Sequence, residues 1–160
     1  MADDRIPMSK EGYEKLKGQL DKMRNEDMPR IAEAIAQARG EGDLSGNAEY
    51  DAQREAQGML QARINELQDK LARAMIIDKG TLPTDRVVMY SKVRVLDLKF
   101  NEEEDYILVG LGDENYDEDK IPISSPIGQA LVGKKINDEV EVPIPAGARR
   151  LRILTISATD

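Results

Sequence analysis

Three carboxylates, Glu41, Asp43 and Glu49, crowd the segment Ala38-Arg39-Gly40-Glu41-Gly42-Asp43-Leu44-Ser45-Gly46-Asn47-Ala48-Glu49-Tyr50. Oxygen donors at that density suit a hard divalent cation. Mg²⁺ takes one or two carboxylates and fills its other positions with water or substrate phosphates. So few acids hold Mg²⁺ poorly alone, but they can complete a half-formed site supplied elsewhere. The bland alternative is a helix cap, because acids at a helix start complement its dipole and accept from its free amides. The residue types alone leave both readings of Asp43 open.

The flanking elements decide where such acids would be held. Ser9 before Lys10-Glu11 is a good N-cap type. Tyr13, Leu16, Leu20 and Met23 follow at steps of three and four, a stripe narrow enough for a coiled-coil seam. Pro29 lacks an amide proton and clashes with the preceding turn, which predicts a kink or brief break near Asn25–Met28. The stripe resumes at Ile31, Ile35 and Ala38, and beyond the glycine-bearing turn it continues with Leu60, Ile64, Leu67, Leu71 and Ala74. Gly40 or Gly42 can end the first helix, and Asp43, Ser45 or Asn47 can cap the second. Two helices joined by so short a turn run antiparallel. At roughly 28 residues a side and about 1.5 Å per residue, the arm reaches on the order of 40 Å, with the acids at its tip.

Composition removes most other chemistry. The 160-residue chain has no cysteine and no histidine, which excludes disulfides, thiolate catalysis and the commonest general base. Asp, Glu, Lys, Tyr, Ser and Thr are what is left. The net charge of −8 argues against coating a nucleic-acid backbone by bulk electrostatics, although a basic stripe on one helix face stays open. No apolar run reaches membrane-spanning length and the N-terminus lacks a signal-peptide core, so a soluble, cytoplasmic protein with no membrane partner is expected.

From Val87 onward β-branched residues alternate with polar ones. Residues 92–97 and 106–109 read as paired strands, Asn101–Asp105 as a solvated turn between them, and Ile76–Pro83 as a linker. Gly110–Lys120 is an acidic loop without calcium-loop spacing. Ser124-Ser125-Pro126-Ile127-Gly128-Gln129-Ala130-Leu131-Val132-Gly133 carries a serine cap, proline at the first helical position and glycine after the end. Glu139–Pro143 and Arg149–Ile156 complete the pattern. The fold class is α+β: a helical coiled-coil hairpin over residues 1–78, then a small antiparallel β domain with one short helix over 79–160. No nucleophile stands beside a base in this half, and the Ser125-Pro126 corner suits docking of a partner.

Two stretches, Gly42–Gly58 and Ser125–Lys135, resemble the Gre family of bacterial transcription elongation and transcript cleavage factors, and the resemblance spans both halves in order. It implies an FKBP-like globular domain that docks on RNA polymerase through Ser125, Pro126 and Ile127. It further implies a coiled coil passed through the secondary channel, with Asn47, Glu49 and Tyr50 as channel contacts. The tip would help hold a Mg²⁺ shared with the polymerase, none being bound stably by the free, monomeric protein, beside the 3′ end of backtracked RNA. Cleavage would then belong to the polymerase active centre, and the factor would be an accessory rather than an enzyme. The family's tip usually carries two acids three residues apart. Here the first is Asp43, which inherits the metal-ligand role, but the second position is Gly46. Glu41 is the candidate substitute, and a channel regulator with weak or no cleavage is the alternative that Gly46 keeps in play.

Overall fold

The computed structural model describes residues 4–40 and 47–158. Glu41, Asp43 and Gly46 therefore lie outside the described residues. The chain packs as two units, Met1–Arg5 with Tyr13–Ala74, and Ile6–Gly12 with Met75–Asp160.

The first unit is a helical hairpin. Helix α1 (Lys10–Lys22) passes through a π-helical turn (Met23–Asp27) into α2 (Met28–Gly40), and α3 (Ala48–Ala72) returns beside it. Ser9 caps α1, its Oγ accepting from the Gly12 amide at 2.9 Å. The irregularity expected before Pro29 is present as a widened turn rather than a break. The Met28 amide donates to the Met23 carbonyl, so the backbone spans five residues where the proline ring would otherwise meet the preceding turn. Lys22 Nζ bridges the same turn to Asp27 Oδ1 at 3.1 Å. Leu20, Leu60 and Ile64 form the buried seam, with Met23, Met28, Ile31, Leu67 and Leu71 packed against it. Ile35 and Ala38 continue it as buried residues. The pairing runs antiparallel, since Ala38 bonds Asn47 while Met23 and Leu67 share a groove.

In the second unit β1 (Ile6–Met8) pairs with β2 (Ala74–Ile76) as a two-stranded sheet. The larger sheet is built from β3 (Ser91–Asp97), β4 (Glu102–Val109), β5 (Lys120–Pro122), β6 (Glu139–Ile144) and β7 (Gly147–Ala158). Their order is β5-β4-β3-β7-β6. Val93, Val95, Leu108, Leu151 and Ile153 are fully buried on one face. Helix α4 (Pro126–Leu131) closes that face with Leu131, and Ile127 and Ala130 pack alongside.

Three expectations need correction. Ala74, read as the end of the second helix's stripe, lies in β2, because α3 ends at Ala72 and the chain pairs with β1. The sheet is mixed rather than antiparallel throughout, because β5 pairs parallel to β4 after the loop at 110–119 carries the chain back. The acidic run is strand, not turn: only Asn101, with φ +57°, and the residues just before it turn the chain. Residues 102–105 pair with 94–97, where the basic side chains of neighbouring strands neutralise them. Arg94 Nε donates to Asp105 Oδ1 at 2.9 Å and Arg149 to Glu104 Oε2 at 2.7 Å. Cross-strand charge pairing overrides the low strand propensity of Glu and Asp.

Candidate functional site

The hairpin end is organised by Asn47. Its Oδ1 accepts from the Tyr50 amide at 3.1 Å, capping α3, while its Nδ2 donates to the Ala38 carbonyl at 2.9 Å. One side chain thus satisfies a donor of α3 and an acceptor of α2. The Arg39 guanidinium lies 5.7 Å from the Tyr50 ring centroid and donates to its hydroxyl at 3.4 Å. Glu49 accepts from Gln53 Nε2 at 2.9 Å, one helical turn on. Asn47, Glu49 and Tyr50 therefore all make local contacts at the start of α3. Among the described residues no group of three or more acids, histidines or cysteines could hold a metal ion. No described helix is long and apolar enough to cross a membrane.

The second candidate region is built on α4. Ser125 Oγ accepts from the Gly128 amide at 3.1 Å and Pro126 opens the helix, as the sequence predicts. Glycine is required at 128 by contact rather than by conformation. A Cβ there would stand 2.6 Å from the Ile123 carbonyl oxygen. Ser125, Pro126 and Ile127 line an apolar groove of about 330 Å³ with Tyr116, Ile121, Val142, Pro143, Ile144 and Arg149. Tyr116 is 72% exposed, and Ile144 is also exposed. An apolar, open groove suits a partner segment with an apolar face.

Sequence reasoning missed Arg149 and Tyr116. Arg149 sits at the centre of a half-buried network, donating to Asp97 Oδ2 at 3.2 Å, Glu104 Oε2 at 2.7 Å and Tyr106 Oη at 3.4 Å. Glu104 first, then Tyr106 and Asp97, hold its guanidinium well above the usual range against the cost of burial. The Asp97 carboxyl is held below its usual range by the Phe100 amide, with the Lys99 amide and Arg149 adding to it against burial. Burial pushes the Glu104 carboxyl up, but hydrogen bonds from Arg149 and Tyr106 outweigh it and leave it lowered. The available signal was weak: Val140, Val142 and Ile144 alternate with polar residues, and Arg149 lies opposite Val142.

Comparison with known proteins covers both halves of the chain. A family model described as transcription elongation factor, N-terminal, matches residues 6–76, and one described as transcription elongation factor, GreA/GreB, C-term, matches residues 82–158. The chain belongs to the GreA/GreB family of transcription elongation factors. It is 47% identical over 154 residues to transcription elongation factor GreA of Thermodesulfovibrio yellowstonii, covering 96% of this chain and 98% of that one. To GreA of Trichlorobacter lovleyi it is 43% identical over 151 residues, covering 94% and 96%. Among solved structures it is similar to GreA factor homolog 1 of Thermus thermophilus, with 26% identity, a TM-score of 0.45 and coverage of 96% and 99%. As GreA/GreB-family regions, the capped hairpin end and the α4 groove lie one in each matched segment, and the α3 cap is an asparagine inside the segment that carries the resemblance.

Proposed function

We propose that this elongation factor binds bacterial RNA polymerase through the α4 groove. Its hairpin then enters the secondary channel and stimulates the polymerase's own cleavage of backtracked RNA, rescuing arrested complexes. The observation that carries the reading is the Asn47 side chain tying the end of α2 to the start of α3, with Asp43 in the sequence between them. A carboxylate is the donor class Mg²⁺ prefers, so Asp43 would hold the shared metal, with Glu41 as the nearer substitute for the acid absent at Gly46. When bound, that metal would stabilise charge on the oxygens of the displaced phosphodiester. The chain's own part is to deliver and orient the carboxylate in trans beside the nascent RNA 3′ end. On this reading the factor is an accessory, and the hydrolytic centre is the polymerase's. The weak-cleavage alternative rests on Gly46 alone and is not favoured by relatives that carry the elongation-factor name over nearly the whole chain. The test is a stalled polymerase complex with labelled RNA: adding the factor shortens the transcript, and an unchanged transcript in the presence of bound factor contradicts the proposal.

A further inference from the structure

The larger sheet has a second concavity, on the face opposite α4, that shares no lining residue with the α4 groove. Strand register builds it. Lys92 on β3 lies directly opposite Ile107 on β4 and Ser157 on β7, and Ile107 lies opposite Lys120 on β5. Directly opposed residues share a face, so Lys120, Ile107, Lys92 and Ser157 form one row across four strands. Lys92 alternates with the buried Val93, which puts the row on the side away from the core. Tyr90 closes one end, with Lys79 Nζ 4.7 Å from its ring centroid. The cavity holds about 450 Å³, inside the usual range of roughly 300–1,000 Å³ for small-molecule sites.

Its charge is opposite to that of the molecule. Three lysines and one aspartate line it, a net positive lining on a chain of net charge −8. Lys120 has an ion pair with Glu118 at 3.2 Å, whereas Lys79 and Lys92 have no ion pair among the described residues. Asp113 lines the same cavity, but its Oδ2 accepts from the Tyr90 hydroxyl at 2.7 Å and from the Ser9 hydroxyl. Burial and that hydrogen bond push the Tyr90 phenol up to about 12, so it stays a donor to Asp113. The backbone adds a separate pointer. Tyr90 has φ +71°, a left-handed conformation that strains a bulky residue and collects at ligand sites.

We propose that this cavity binds a small phosphorylated ligand, its phosphates held by Lys79, Lys92 and Lys120 and its body laid against Ile107. Lysine serves phosphate as a compact point charge, and the apolar floor offers contact to whatever carries the phosphate. An extended nucleic-acid backbone is the poorer fit, because it asks for a basic surface rather than a basic hollow in an acidic one. The shared chemistry admits two sources, inorganic pyrophosphate and a nucleoside phosphate.

The test titrates the full chain separately with pyrophosphate and with ADP, by calorimetry and by amide NMR. At least one probe is expected to bind with a dissociation constant below about 1 mM, with shifts centred on residues 79, 90, 92, 107, 120 and 157. ADP binding tighter than pyrophosphate assigns the site to a nucleoside phosphate, and equal binding assigns it to the inorganic anion. The Lys79→Glu/Lys92→Glu double variant should weaken either about tenfold or more, while Lys92→Arg should keep it. No binding at several millimolar overturns the proposal (on the order of −3 kcal/mol or weaker). So does binding unchanged in the charge-reversed variant, or shifts centred elsewhere in the wild-type chain. Tighter binding of a short RNA oligonucleotide than of either probe also overturns it.

Discussion

A methyl group at position 128 would press on two backbone oxygens, those of Ile123 at 2.6 Å and Pro122 at 2.7 Å. Pro122 ends β5 and Ile123 follows it, and both contacts are backbone atoms that cannot swing aside as a side chain could. Gly128→Ala should therefore lower stability by about 1–3 kcal/mol through overpacking, although alanine is the better helix former. Urea unfolding reads this directly, and an unchanged midpoint would contradict the packing. The Arg149 network makes a pH-dependent forecast. The folded-state carboxyls of Asp97 and Glu104 are lowered, so their contribution is present above the unfolded values near pH 4 and is lost as pH falls through the folded ones. Stability should drop between about pH 5 and pH 2, and the drop should be shallower in Arg149→Met. Urea midpoints across that interval decide it, and parallel curves would contradict the assignment. Ser125 and Pro126 were legible because capping is local. Arg149 was not, because its carboxylates are 52 and 45 residues away in sequence.

Among the elements, the hairpin was the most legible part, since a seam of Leu20, Met23, Ile31, Leu60, Ile64 and Leu67 repeats every three or four residues and needs no distant information. Even its irregular turn was announced by Pro29. Strand β4 was read as starting four residues late. Its first half is Glu102-Glu103-Glu104-Asp105, whose place in the sheet depends on Arg94 and Arg149 arriving from β3 and β7. Periodicity carries no trace of that pairing. The parallel entry of β5 was invisible for a similar reason: three residues are too few to signal direction. Asn47→Ala removes the α3 cap and the bond to Ala38 together, so it should cost about 1–2 kcal/mol of hairpin stability. Helical signal followed against temperature measures this, and Asn47→Asp, which keeps the capping oxygen but loses the donor, should fall between alanine and wild type.

For the whole molecule, the chain packs as two units of different form. The acidic residues are spread over both halves, so charge does not distinguish them. What distinguishes them is form: a seam-packed hairpin ending near Asp43, and a sheet with an apolar groove at Ser125, Pro126 and Ile127. The account stands or falls on Asp43 acting as a metal ligand rather than as a helix cap. Asparagine caps as well as aspartate but brings no negative charge to Mg²⁺. The decisive measurement adds saturating wild-type or Asp43→Asn factor to stalled bacterial polymerase carrying end-labelled RNA, with binding of each followed in parallel. The wild-type chain should shorten the transcript, and Asp43→Asn should bind as well but leave it full length. Normal shortening by Asp43→Asn would contradict the metal role and reduce Asp43 to a cap.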